Sequence, residues 1–163
     1  MEQSKKIILA GGINAGKTSL VNRYVHQRFS EQYAANLGIR IARKEIHLND
    51  EIHQLIIWDP PGDYSTENMP QSYLLGASGI IYVMDLSEPG TFAAAVKYLA
   101  LLRGKLPNAE VLIAANKCDL FSENEIRELI KKMDPAPHFV CSAKENVMVE
   151  ELFQKMAASI FNK

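Results

Sequence analysis

Gly11-Gly12-Ile13-Asn14-Ala15-Gly16-Lys17-Thr18 is the stretch that decides how the rest of this sequence is read. It fits G-x-x-x-x-G-K-[ST] without a mismatch. It also has the setting that motif needs, because a short apolar run, Ile7-Ile8-Leu9-Ala10, stops at the glycines and a helical pattern opens at Lys17. A loop of this kind aims backbone N–H groups at phosphate oxygens, and the helix N-terminus behind it adds partial positive charge. Lys17 then reaches the outer phosphates and the Thr18 hydroxyl is a Mg²⁺ ligand. Asn14 suits the interior of the loop because asparagine visits left-handed backbone conformations more readily than most residues.

Outward from this loop, apolar runs and helical periodicities alternate. Residues 17–28 repeat apolar side chains at helical spacing through Leu20, Val21, Tyr24 and Val25, whereas residues 30–37 carry no period and read as loop. Extended stretches at 38–48 and 52–58, joined by Asn49-Asp50, predict an antiparallel pair. Asp59-Pro60-Pro61-Gly62-Asp63 breaks the chain. After a poorly patterned stretch come strands at 79–85, 110–115 and 138–141, and helices at 91–105, from 122 to near Asp134-Pro135, and 147–161. Ser122 and Glu125 have the spacing of a capping box. Strands separated by helices imply crossover units and a mostly parallel sheet. The expectation is a doubly wound α/β fold with a six-stranded sheet, its second strand antiparallel, helices on both faces, and a single domain over 1–163. In such a sheet ligands bind beyond the carboxyl ends of the strands, which is where the motifs fall.

Composition narrows the function classes. The 163 residues are 47% hydrophobic and 23% charged, with a formal net charge of −1, which argues against a surface dedicated to nucleic acid. Two cysteines, Cys118 and Cys141, are too few for a disulfide framework and suit a reducing cytosol. No apolar run approaches the ~18 residues of a membrane helix, and the start has no signal-peptide pattern.

Asn116-Lys117-Cys118-Asp119 follows the strand at 110–115 directly. By itself this tetrapeptide also suits an exposed helix-entry turn. Beside the phosphate loop, a carboxylate there can accept from both N1–H and the exocyclic amine of guanine, whereas adenine offers an acceptor at N1 and no amine on that edge. Sites built on such bonds discriminate by about 10⁴–10⁵. An ATP-using enzyme with this loop would need adenine to compete for the pocket, and the aspartate disfavours it.

The phosphate loop, Asp59-Pro60-Pro61-Gly62, Asn116-Lys117-Cys118-Asp119 and Ser142-Ala143-Lys144 come in the order and at about the spacing of a small GTPase of the Ras superfamily. Leu37-Gly38-Ile39, Leu55-Ile56-Ile57-Trp58-Asp59, Tyr73-Leu74-Leu75-Gly76-Ala77 and Asn116-Lys117-Cys118-Asp119-Leu120 resemble the Rab branch, and the likeness runs from Lys5 to Ile160. The resemblance implies a GTP/GDP switch with Mg²⁺ as cofactor. Its nucleotide contacts would be Asn14, Ala15, Gly16, Lys17, Thr18, Ser19, Phe29, Asn116, Lys117, Asp119, Ser142, Ala143 and Lys144. Among these, Phe29 packs edge-on against the guanine, the Lys117 stem covers the base, and Ala143 gives an N–H to the guanine oxygen. Thr18, Asn36 and Asp59 would hold the metal, Asp59 through water. Lys17, Gly62 and Asp63 would serve hydrolysis, with the Gly62 N–H at the γ-phosphate. Loops at about 30–38 and 60–76 would be the switches that meet effector and regulator proteins. The expected protein is a monomer of the cytosol, recruited to the cytosolic face of membranes where a lipidated tail is present; the sequence ends at Asn162-Lys163 without such a signal.

Three positions depart from the family pattern. Asn36 stands where a threonine closes on Mg²⁺ and the γ-phosphate. Asp63 stands where a glutamine orients the attacking water, and Ile13 puts a branched side chain where a partner's arginine would enter. Pro60 and Pro61 replace threonine and alanine, stiffen the second switch and remove two backbone donors. Slow hydrolysis is therefore expected, and the alternative is a hydrolysis-deficient module held in one nucleotide state. His26, His47, His53 and His138 are dispersed and read as surface or strand-flanking residues, and both cysteines read as reduced thiols. Trp58 fits either a partner-binding aromatic surface or ordinary packing at a strand end. Lys131-Lys132 and Glu150-Glu151 read as solvated helix faces.

Overall fold

Ile7 and Leu9 turn to one face of a central strand and Ile8 and Ala10 to the other, and all four are fully buried. A strand covered on both faces reads as a continuous apolar run rather than an alternating one, which is why β1 (Ser4–Gly11) looks as it does in the sequence. The computed structural model describes residues 3–29, 38–62, 64 and 67–163. After β1 come α1 (Lys17–His26), β2 (Arg40–Leu48), β3 (Glu51–Asp59), α2 (Gln71–Leu74), β4 (Ala77–Asp85), α3 (Phe92–Lys105), β5 (Glu110–Asn116), α4 (Glu123–Lys131), β6 (Phe139–Val140) and α5 (Val149–Phe161). The six strands lie in the order β2-β3-β1-β4-β5-β6. Every neighbouring pair is parallel except β2 with β3, as the sequence predicts. The β2–β3 hairpin turns on Asn49 (φ 52°) and Asp50 (φ 64°), both left-handed, the conformation that matches a two-residue turn to the strand twist.

Helices cover both faces. Leu20, Val21 and Tyr24 of α1 join Leu152, Phe153, Met156 and Ile160 of α5 on the face of Ile7 and Leu9, where Tyr24 stacks on Phe153 at 4.2 Å. Phe92, Ala95, Leu99 and Leu102 of α3 join Leu74 and Met133 on the other. Ser122 caps α4 by the predicted capping box: its Oγ accepts from Glu125 N–H at 3.3 Å and the Glu125 carboxylate accepts from Ser122 N–H at 2.7 Å.

Some local expectations need correction. The helix predicted to run to Asp134 ends at Lys131, and the helix predicted from Val147 starts at Val149. The short α2 lies inside the stretch without pattern. His53 is no surface residue. It shares the inward face of β3 with Leu55, Ile57 and Asp59, is 5% exposed, and stacks on Phe161 at 4.6 Å. His138 does flank a strand, its Nδ1 accepting from Ile113 N–H at 2.9 Å.

Trp58 lies half-buried on the opposite face of β3, with Lys6 Nζ 3.5 Å above its ring and Tyr73 edge-on at 6.1 Å. Lys6 also donates to the Leu75 carbonyl at 2.8 Å, which fastens the chain after α2 to β1. Burial beside this aromatic group lowers the pKa of the Lys6 ammonium.

Candidate functional site

The carboxyl ends of β1, β3, β4 and β5 deliver Gly11, Asp59, Asp85 and Asn116 to one edge of the sheet. Between β1 and α1 the phosphate loop bends through Asn14 (φ 60°) and Gly16 (φ 99°). Asn14 is thus the left-handed asparagine the sequence predicts. Gly11 is required for a different reason: at φ 138°, a Cβ there would meet the Val83 carbonyl oxygen at 2.2 Å.

Lys17 is 6% exposed, and its Nζ donates to the carbonyls of Gly12 at 2.8 Å and Gly11 at 3.2 Å. The ammonium is therefore held at the mouth of the loop. Burial lowers its pKa, and the Asp59 carboxylate opposes that shift without cancelling it. Thr18 donates to Asp59 Oδ2 at 2.7 Å. Asp59 is 2% exposed, and its Oδ1 has no hydrogen-bond partner among the described residues. An unpartnered buried oxygen of this kind costs roughly 1–3 kcal/mol or more. Burial raises the Asp59 pKa, against the opposing effects of Thr18, Lys17 and Arg40. A carboxylate oxygen beside a threonine hydroxyl is a hard-oxygen donor set, the kind that suits Mg²⁺.

A second group of residues forms the far end of the site. Lys117 adopts a left-handed conformation (φ 70°), uncommon for a non-glycine residue. Its Nζ pairs with Asp85 Oδ2 at 2.6 Å, while Asp85 Oδ1 accepts from the N–H and hydroxyl of Ser87 at 2.8 and 2.6 Å. The Lys117 stem is thereby laid along the pocket. Ser142 donates to Asp119 Oδ1 at 2.6 Å and accepts from Glu145 N–H at 2.9 Å, so its hydroxyl hydrogen is committed to the carboxylate. Asn116 joins the two ends: its Nδ2 donates to the Ala15 carbonyl at 3.0 Å and its Oδ1 accepts from Ala143 N–H at 3.2 Å.

These groups enclose a cavity of about 220 Å³ lined by Gly16, Ser19, Phe29, Asn116, Lys117, Asp119, Leu120, Ala143 and Lys144. All but Leu120 belong to the set expected from sequence. Asn14, Ala15, Lys17, Thr18 and Ser142 stand beside it in the phosphate loop and behind Asp119. Gly62 lies past the two buried prolines, in a turn where Tyr64 N–H donates to the Pro61 carbonyl at 3.1 Å. Asn36 and Asp63 fall outside the described residues. Leu120, Asp85 and Arg23, which donates to the Ala143 and Lys144 carbonyls, lie outside the site residues expected from the sequence. Asp85 could have been included, as the polar end of a strand whose neighbours β1 and β5 both end in the site.

A sequence model of the Ras family matches residues 6–162. The chain belongs to the Ras family. Within it the chain is a small GTPase of the Rab branch. It is 34% identical to the Ras-related protein Rab-32 of Homo sapiens over 90% of this chain and 70% of that one. It is 31% identical to Rab-7b of Mus musculus over 94% of this chain and 80% of that protein. With Rab7 of Drosophila melanogaster the identity is 30% over 93% of this chain and 78% of the relative. Small GTPases of this family bind GTP and GDP with Mg²⁺ and act as switches toward effectors and regulators, and the six-stranded sheet with one antiparallel strand is their fold. No helix among the described residues of this Rab-branch chain is long and apolar enough to cross a membrane.

The two cysteines sit beside the site, with Cys118 N–H donating to the Cys141 carbonyl at 3.0 Å and both thiols free. Burial pushes the Cys141 thiol up to about 12, and burial together with Asp119 raises that of Cys118. Thiolate is the reactive form, so at pH 7.5 each carries less of it than an ordinary cysteine. Iodoacetamide labelling of the native protein at that pH, followed by mass spectrometry, is expected to run slower at both positions than with free cysteine, and slowest at Cys141. In guanidinium both should label readily; fast native labelling at either position would contradict the assignment.

Proposed function

We propose that this chain is a Rab-like switch in membrane trafficking whose single domain binds GTP and GDP with Mg²⁺ and hydrolyses GTP slowly. The observation that carries it is the Asn116 bridge, which ties the phosphate loop through Ala15 to the Ala143 segment beside Asp119 across one cavity. In this reading Asp119 accepts from the guanine edge, Lys117 covers the base, and Lys17 neutralises the outer phosphates. Thr18 and Asp59 hold Mg²⁺, which when bound supplies charge neutralisation at the phosphates. The unpartnered Asp59 Oδ1 supports that role. Phosphoryl transfer calls for positioning and electrostatics more than covalent chemistry, so the residues that aim the water and close the site set the rate. Asn36 and Asp63 are poor replacements at those two places: the amide is longer than threonine, and the carboxylate brings negative charge beside the phosphate. Effectors would dock over Trp58 and Tyr73, next to the exposed side chains of Leu75 and of Ile41, which pairs with Trp58 across the hairpin. Ile13 is 65% exposed at the phosphate loop, where it would meet an activator's arginine.

Single-turnover hydrolysis of GTP by the purified chain tests the rate. The expected rate is below roughly 10⁻⁴ s⁻¹, against about 3–5 × 10⁻⁴ s⁻¹ for intrinsic hydrolysis by Ras. Asp63→Gln combined with Asn36→Thr is expected to raise it several-fold. A wild-type rate at or above that of Ras would refute the slow-hydrolysis reading, and a rate equal to that of Lys17→Ala would mean a module with no turnover. Chromatography of the nucleotide released on denaturation identifies what the pocket holds, and guanine nucleotide is expected.

A further inference from the structure

The segment that carries Ser142, Ala143 and Lys144 belongs to no strand or helix among the described residues; Ser142 and Val147 form a local backbone bridge across it. Yet it supplies the Ala143 N–H, which donates to Asn116 Oδ1, and Ser142, which orients Asp119. Something outside the segment has to fix where these groups point. Arg23, on α1, does so from 120 residues away: its Nε donates to the Ala143 carbonyl and its Nη2 to the Lys144 carbonyl, each at 2.8 Å. A guanidinium is a rigid plane with donors in fixed directions, so bonds to two successive carbonyls set the tilt of the peptide units as well as their distance. Its Nη1 makes a longer contact of 3.5 Å to the Gln27 carbonyl, at the end of α1 where the chain turns toward Phe29. Arg23 thus touches both segments that wall the base end of the cavity, without lining the cavity itself. It also lies on the helix that opens with Lys17 and Thr18, so one rigid element sets the phosphate end and the base end together.

We infer that Arg23 is a positioning residue for guanine recognition: from α1 it orients the Ser142–Lys144 segment, and through Ser142 the Asp119 carboxylate, without contacting the nucleotide. The inference rests on the chain binding guanine nucleotide as proposed above.

The experiment compares wild type, Arg23→Lys and Arg23→Met as full chains, by dissociation of fluorescent GDP and fluorescent IDP, with thermal melts alongside. Inosine lacks the exocyclic amine, so the ratio of the two rates reports the aim of Asp119. Arg23→Met is expected to speed GDP release roughly 10- to 100-fold, with a smaller effect on IDP, so that guanine preference falls. Arg23→Lys should be intermediate, because an ammonium can bond these carbonyls but lacks the rigid plane that sets the tilt of both peptide units. Equal acceleration of both nucleotides, or release unchanged despite a lower melting temperature, would make Arg23 a plain structural clamp and overturn the inference. Should Arg23→Met fail to fold, Arg23→Lys decides, since it keeps the charge and most of the length; a wild-type ratio there refutes the inference. A wild-type protein that binds no fluorescent GDP overturns the nucleotide proposal instead, a result distinct from either.

Discussion

Asp119→Asn is expected to reverse the base preference of the pocket, guanine losing on the order of 10⁴-fold in affinity relative to xanthine. The Ser142 hydroxyl hydrogen is committed to Oδ1 of Asp119, because the Ser142 oxygen already accepts from Glu145 N–H. An asparagine at this position therefore keeps its oxygen toward Ser142 and presents its NH₂ where the second carboxylate oxygen had been. Guanine brings an amine to that atom and donor meets donor. Xanthine brings a carbonyl and the pair is restored. Competition of unlabelled GDP and XDP against a fluorescent nucleotide, on both proteins, measures the effect. Retained guanine preference in the variant would remove Asp119 from base recognition.

Gly16→Ala is expected to weaken nucleotide binding by roughly 10²- to 10³-fold, combining left-handed strain of about 1–2 kcal/mol with loss of hydrogen bonds at about 0.5–1.5 kcal/mol each. Gly16 sits at φ 99°, and a Cβ there would meet Asn116 Nδ2 at 2.1 Å. That amide cannot swing aside without cost, since one end is bonded to the Ala15 carbonyl and the other to Ala143 N–H. The damage should travel through Asn116. Gly16→Ala in an Asn116→Ala background is accordingly expected to cost only the backbone strain, a coupling that a double-mutant cycle on fluorescent GDP affinity reads directly. Additive losses would place the effect elsewhere in the loop, and binding within about threefold of wild type would refute the steric argument.

What could be read in the sequence, and what could not, divides by the range of the interaction. The strands of the sheet and the four long helices announce themselves because burial on one face leaves a period in the chain and burial on both leaves a short continuous apolar run. The phosphate loop and the Asn116–Asp119 turn are legible because each packs its chemistry into a few consecutive residues. The helix at Gln71–Leu74 leaves no signature, since four residues span barely one turn. His53 reads as a surface or strand-flanking residue through its polarity, although its alternation with Leu55 and Ile57 carries the signal that it points inward. Arg23 illustrates the harder limit: its bonds go to main-chain carbonyls, which every residue has, so nothing in the identity of Ala143 or Lys144 betrays them.

The Asn116 bridge and the Arg23 clamp also set the order of events when the chain is made. The pocket's walls are distant in the sequence, residues 11–18 on one side and 142–144 on the other. A nascent chain that has already produced its phosphate loop still lacks the segment that completes the base end. Nucleotide capture therefore waits until residues 142–144 have been made and have joined the phosphate loop. A ligand that meets only the finished fold lowers the free energy of that state alone, so the cell's supply of nucleotide would hold the completed protein together while leaving unfinished chains to the proteases.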